Sequence, residues 1–241
     1  MAKTLTNLRA QVRTYLDEAT TADWTVAEVD REINVGYMKA YAEVVNVYED
    51  YYSTTTTLTT IADQQEYGTS DGFPTDFYKM RRVELDYTPS QSSSVPRRAI
   101  PVSMDSVLRD LGNSALGISV WRNPAYYLRG NTIGFIPVPT EGGSGALKLW
   151  YIKTLSELSS GSDEIDIPFP DRYFDSIVLE AVGTLLRKGQ QEERVAMVYL
   201  SQAQEWRDKM RNELEDRIAD DTKSITDTIG EDVDFSNYST I

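Results

Sequence analysis

An α+β fold follows from the way hydrophobic periodicity changes along this chain. Helical three- and four-residue spacing opens it, β-branched and alternating segments fill its middle, and helical spacing returns after Pro168 and Pro170. The expected architecture is an antiparallel helical bundle built from residues 1–52 and 168–218. An antiparallel β-rich domain at 53–167 is inserted between them in sequence, and an extended acidic tail occupies 219–241. At 241 residues the chain is long enough to bury a core as one large domain or two small ones.

The first helix is expected where Leu5, Leu8, Val12, Tyr15 and Leu16 recur on one face. The second opens on Thr25-Val-Ala-Glu28, a capping-box pattern, with Trp24 and Val29 spaced as a hydrophobic staple across it. Its buried face should carry Val29, Ile33, Tyr37, Tyr41, Val44 and Tyr48, and the helix should end near Tyr51 and Tyr52. Ser53 to Ile61 is dominated by threonine, whose branched Cβ suits a pleated strand. A second strand is expected from Met80 to Tyr87, a Ser-rich loop at 88–96, and a short helix from Ser103 to Leu111.

The hairpin signal lies at Tyr126 to Pro137, where Gly130-Asn131 supplies the positive φ angles of a tight turn. A Gly-rich loop at 141–145 then feeds a strand from Leu147 to Ile152, so the middle reads as a small sandwich or open barrel. Phe174, Ile177, Val178, Ala181, Val182, Leu185 and Leu186 form the stripe of a third helix. Asp171 and Asp175 are placed towards its positive end, Arg187 and Lys188 at its negative end, and Gly189 at its stop. Val195, Tyr199, Ala203, Trp206, Met210 and Leu214 suggest the buried face of a fourth.

Composition excludes several classes of function. The chain has neither Cys nor His, which removes disulfides, thiolate metal sites and imidazole acid–base chemistry. Its formal charge of −14 opposes binding to a phosphate backbone, and no apolar stretch approaches bilayer length. Gly68-Thr-Ser70-Asp-Gly72 matches the string of a nucleophile elbow but lacks the flanking strand and helix, and the chain has no histidine to serve Ser70. Glu84 and Asp86 alternate with Val83 and Leu85, as on the solvent face of a strand. Asp163, Glu164 and Asp166 lack the ligand spacing of a calcium loop. Catalytic residues, metal ligands and cofactors are accordingly not assigned.

Arg81-Arg82 and Arg97-Arg98 stand out against the acidic balance, and pairing with acidic neighbouring subunits is the favoured reading of them. The tail keeps Phe235, Tyr238 and Ile241 among its acids, which points to docking on a partner rather than to solubility alone.

Taken in order, several strings resemble the head-to-tail adaptor (connector) proteins of tailed bacteriophages, the short-tailed type above all. They are Val12-Arg-Thr-Tyr-Leu-Asp-Glu18, Trp24, Ile33-Asn-Val-Gly-Tyr37, Phe73-Pro-Thr-Asp-Phe77 and Gly130 to Pro139. Leu147 to Tyr151 followed by Leu155 and Leu158, and then Ile165-Asp-Ile-Pro168, complete the series over residues 5–215. The resemblance implies a structural, non-enzymatic virion protein of the neck, assembled in the host cytoplasm. It implies a ring of copies, dodecameric in such adaptors, beneath the portal protein. That ring would extend the DNA channel without binding DNA specifically, its carboxylates repelling phosphates, and would dock the tail or nozzle protein. It also implies that residues 219–241 reach onto the portal, with Phe235, Tyr238 and Ile241 as apolar anchors. Two other readings remain at this stage: another neck ring, such as a stopper or tail-completion protein, and a carboxylate-dependent polysaccharide hydrolase.

Overall fold

The computed structural model describes residues 3–18, 23–87, 89–90, 95–103, 124–189 and 193–222, with side chains in the last helix as far as Arg217. The described residues fall into two compact units, one drawn from Met1–Tyr51 and Glu157–Ile241, the other from Tyr52–Ser156. The fold is α+β, as the periodicity predicts.

The first unit contains four α-helices among the described residues: α1 (Leu5–Tyr15), α2 (Val26–Tyr48), α3 (Pro170–Lys188) and α4 (Glu193–Thr222). The capping box at the start of α2 forms. The Thr25 hydroxyl accepts from the Glu28 N–H (3.3 Å) and the Glu28 carboxylate accepts from the Thr25 N–H (3.0 Å), satisfying two otherwise orphaned donors. The predicted face of α2 is buried from Val29 to Val44 and half-buried at Tyr48, and Glu32, Gly36 and Ala40 are buried with it. The α-helix ends at Tyr48, and a 3-10 turn at Glu49–Tyr52 continues the chain.

Two glycines bring the helices together. A Cβ on Gly36 of α2 would lie 2.9 Å from the Ile177 carbonyl oxygen of α3. One on Gly183 of α3 would lie 2.7 Å from Leu200 Cγ and 3.0 Å from the Ala196 carbonyl oxygen of α4. That close approach explains a register correction in α4. Val195 is 37% exposed, and Tyr199 and Trp206 are half-buried; the buried line keeps the predicted Ala203, Met210 and Leu214 and adds Ala196 and Arg207. Small side chains let α4 sit against α3 where the bulkier Val195 would hold it away.

A second correction concerns α3. Asp171 is in its first turn, but Asp175 lies beyond it, where the helix-terminal field has faded. The segment before α3 is strapped to the helices by backbone bonds. Leu5 N–H donates to the Asp163 carbonyl (2.8 Å), and Ile165 N–H donates to that of Lys3 (3.0 Å).

The second unit holds eight strands among the described residues: β1 (Ser53–Thr60), β2 (Glu66–Tyr67), β3 (Phe77–Leu85), β4 (Arg97–Arg98), β5 (Ile100–Pro101), β6 (Ala125–Leu128), β7 (Ile133–Ile136) and β8 (Gly143–Lys153). They form two sheets ordered β1-β8-β3-β4 and β2-β7-β6-β5. All pairings are antiparallel except β5 with β6. Leu58, Val83, Leu85, Leu147, Leu149 and Tyr151 from the first sheet share one core with Tyr67, Tyr126, Ile133 and Phe135 from the second. This is the sandwich that the alternating pattern implies.

At the β6–β7 turn only Gly130 takes a positive φ (57°), so the expectation that Asn131 shares it is corrected. A single left-handed glycine at the first turn position suffices to close the pair, with Arg129 N–H donating to Thr132 O at 2.9 Å. The second predicted strand begins at Phe77 and ends at Leu85, earlier at both ends than expected. The helix expected from Ser103 to Leu111 falls, beyond Ser103, outside the described residues, as does the Ser-rich stretch at 91–94.

Candidate interaction surfaces

The side chains that sequence reasoning tested for chemistry take structural roles. Ser70 lies in a 3-10 turn, Thr69–Asp71, exposed beside the Asp71 carboxylate, which caps the turn by accepting from the Gly68 N–H (2.8 Å). That bond holds Asp71 below its ordinary carboxylate range. Asp163 does the same for its loop, accepting from the N–H groups of Ser159 (2.8 Å) and Ser160 (2.7 Å), and these bonds likewise lower its pKa. Glu84 pairs with Arg82 on the same strand. Among the described residues, no group of three or more acids is placed to hold a metal ion. No described helix is long and apolar enough to cross a membrane.

The strongest electrostatics lie inside the helical unit, in residues that the apolar pattern did not mark. Glu180 of α3, almost fully buried, accepts from Lys39 Nζ of α2 (2.5 Å) and from the Arg207 guanidinium of α4 (2.9 Å). Glu32, also buried, pairs with Lys188 and with Arg31 (3.2 Å). Glu18 closes the α1–α2 connection by accepting from Arg13 (2.8 Å) and from the N–H groups of Asp23 (2.8 Å) and Trp24 (3.0 Å). Each carboxylate is buried and paired with a cation, so these groups fix helix register. The sequence signal that could have found them is an acid inside an apolar stripe with a cation seven or eight residues on: Glu32 with Lys39 and Glu180 with Lys188. The ion pairs cross between helices: Lys39 reaches Glu180, and Lys188 reaches Glu32.

Three buried tyrosines of the two units end in polar contacts. Tyr37 accepts from the Asp166 N–H (2.8 Å), and burial pushes its pKa up to about 12. Tyr151 donates to Asp76 (2.8 Å) and Tyr127 to Glu66 (2.9 Å), with burial raising both to about 12.

Exposed apolar groups collect at two places in the helical unit. One is a groove of about 670 Å³ along α2, floored by Ala27, Val35, Met38 and Ala42 and bounded by Arg31, Lys39 and Leu158. The other is the first turns of α4, where Met197 and Val198 are more than half exposed. In the β unit, a bulge between Met80 and Arg82 leaves both Arg81 and Arg82 exposed, although strand alternation would turn one of them inward. Register then builds a face of the first sheet. Arg98, Glu84, Lys148 and Thr57 form one row across four strands, and Arg82, Trp150 and Thr55 form the next. The Lys148 ammonium stands 4.5 Å and the Arg82 guanidinium 5.2 Å from the Trp150 ring centre.

This architecture, a four-helix unit with an inserted β sandwich, lacks an assembled reactive constellation among its described residues. The family model of the SU10 adaptor protein matches residues 3–229. The chain belongs to that family. The match runs through both units and agrees with the adaptor resemblance carried by the motifs. No curated protein matches the chain. Membership of the SU10 adaptor family implies association with other phage proteins. The three tail anchors predicted from sequence, Phe235, Tyr238 and Ile241, lie outside the described residues.

Proposed function

We propose that this protein is a structural, non-enzymatic head-to-tail adaptor of a tailed phage virion. It forms a ring beneath the portal protein, extends the DNA channel and docks the tail or nozzle. The observation that carries this reading is membership of the SU10 adaptor family over residues 3–229. A ring needs a heterologous interface, in which unlike patches of successive copies meet and the rotation closes. The helical unit offers two unlike apolar patches, the α2 groove around Val35 and Met38 and the Met197–Val198 turn of α4. The net charge of −14 suits a channel through which DNA slides, because carboxylates repel phosphates.

In this reading the C-terminal segment, residues 219–241, reaches onto the portal and anchors there through Phe235, Tyr238 and Ile241. Its removal spares every core side chain among the described residues, the last of which is Leu214. A chain ending at residue 218 should therefore melt like the full chain and lose portal binding in a pull-down with the cognate portal. Undiminished binding by the shortened chain would overturn the tail's role.

A further inference from the structure

The basic face of the first sheet has no part in the portal contact just proposed, and its chemistry is specific. Arg82, Arg98 and Lys148 share it with Glu84, which pairs with Arg82, and with Asp86 at its end. They stand in a unit whose charge differs from the rest of the chain. Residues 52–156 carry ten Lys and Arg against nine Asp and Glu, whereas the remaining residues carry fourteen against twenty-nine. The acidity of this protein is thus segregated, and three of the ten cations of residues 52–156 share this sheet face.

Two anionic partners fit such a face, nucleic acid or a carboxylate-rich segment of protein, and the geometry separates them. Single-stranded nucleic acid is held by stacking its bases on open aromatic rings beside cations. The Trp150 ring is already attended by Lys148 and Arg82, so it serves to hold the two cations in place. An excess of fifteen acids elsewhere in the chain also opposes a polyphosphate at long range. Carboxylates meet fixed guanidinium and ammonium groups directly.

The chain carries a matching segment. Residues 220–234 contain Asp220, Asp221, Asp227, Glu231, Asp232 and Asp234 against one Lys223. Beyond the end of α4 at Thr222, residues 223–234 fully extended span about 40 Å, enough to leave one copy and cross onto another.

We propose that the face around Arg82, Arg98 and Lys148 receives the acidic run 220–234 of a neighbouring copy of this chain. Arg98 and Lys148 take its carboxylates from one row of the sheet and Arg82 from the next. The apolar end of the segment, from Phe235 onward, extends past the contact and stays available to another partner. This goes beyond the adaptor reading and needs a second copy of the chain but no portal.

The test is carbodiimide coupling of the full-length protein, mixed from unlabelled and nitrogen-15 chains, read by mass spectrometry. The reagent forms amides only between amines and carboxylates already in contact. Lys148 should couple to acids of residues 220–234, with about half of the linked pairs carrying mixed labels. Arg98→Glu, on an exposed two-residue edge strand, should lower that yield at least fivefold, and so should 1 M salt. Lys209, which stands 4.7 Å over the Trp206 ring in the acidic helical unit, should give no such link. Coupling of Lys148 only within single-label chains, or none to the run, would overturn the proposal. So would a 30-base-pair duplex that binds and shields Lys148 in an Arg98-dependent way, which would assign the face to phosphates.

Discussion

Glu180 shows what individual residues contribute to this protein. Its carboxylate ties α2 and α4 to α3 through Lys39 and Arg207, and both Glu180 and Arg207 are almost out of water. Arg207→Met should therefore lower stability by about 3–5 kcal/mol in urea melts, because it strands a buried charge. Adding Glu180→Met should recover most of the loss, since Lys39 is half exposed and can turn to solvent. Asp175 acts in the opposite sense. Burial raises its pKa above the ordinary aspartate value, and the nearby Lys3 offsets only part of that. The folded state then binds the proton more tightly than the unfolded chain, so this group adds stability as pH falls through its folded pKa and costs stability while charged at pH 7. Asp175→Asn should raise the melting temperature at pH 7, and the gain should vanish near pH 3, where the wild-type carboxyl is also neutral. The partners that decide either role were not legible in the sequence. Periodicity reports which positions face inward, and an acid on an inward face reads as a defect until its partner helix is known.

At the scale of elements, local signals and long-range ones part company. The capping box at Thr25 and Glu28, the β-branched run of β1 and the Gly130 turn are encoded within a few residues, and each was readable. The buried face of α4 was readable at Ala203, Met210 and Leu214 but not in its first turn, where Val195 and Ala196 compete for it and Gly183 on another helix decides. Two-residue strands such as β2 and β5 carry no period at all and exist through their partners, β7 and β6. The same dependence makes Gly36 critical. A methyl group there would press on the Ile177 backbone, which cannot rotate away as a side chain could. Gly36→Ala should destabilise the protein by about 1–3 kcal/mol, despite the better helix propensity of alanine, as measured by chemical denaturation.

For the whole molecule, the order of periods gave the α+β class, and a series of short strings spread over both units gave the family. What the sequence left open is how copies meet, because interfaces have no period and their partners are absent from the chain's own pattern. The α2 groove, the Met197–Val198 turn and the Arg82–Trp150–Lys148 face became visible only once packing had decided which apolar and charged groups remain outside. The central claim is that these surfaces serve an adaptor ring on a portal. The most direct test is the mass of the protein mixed with its cognate portal, by native mass spectrometry. The account predicts a discrete complex in which a full ring of copies is bound to the portal ring. Free chains beside an intact, unoccupied portal ring would contradict it.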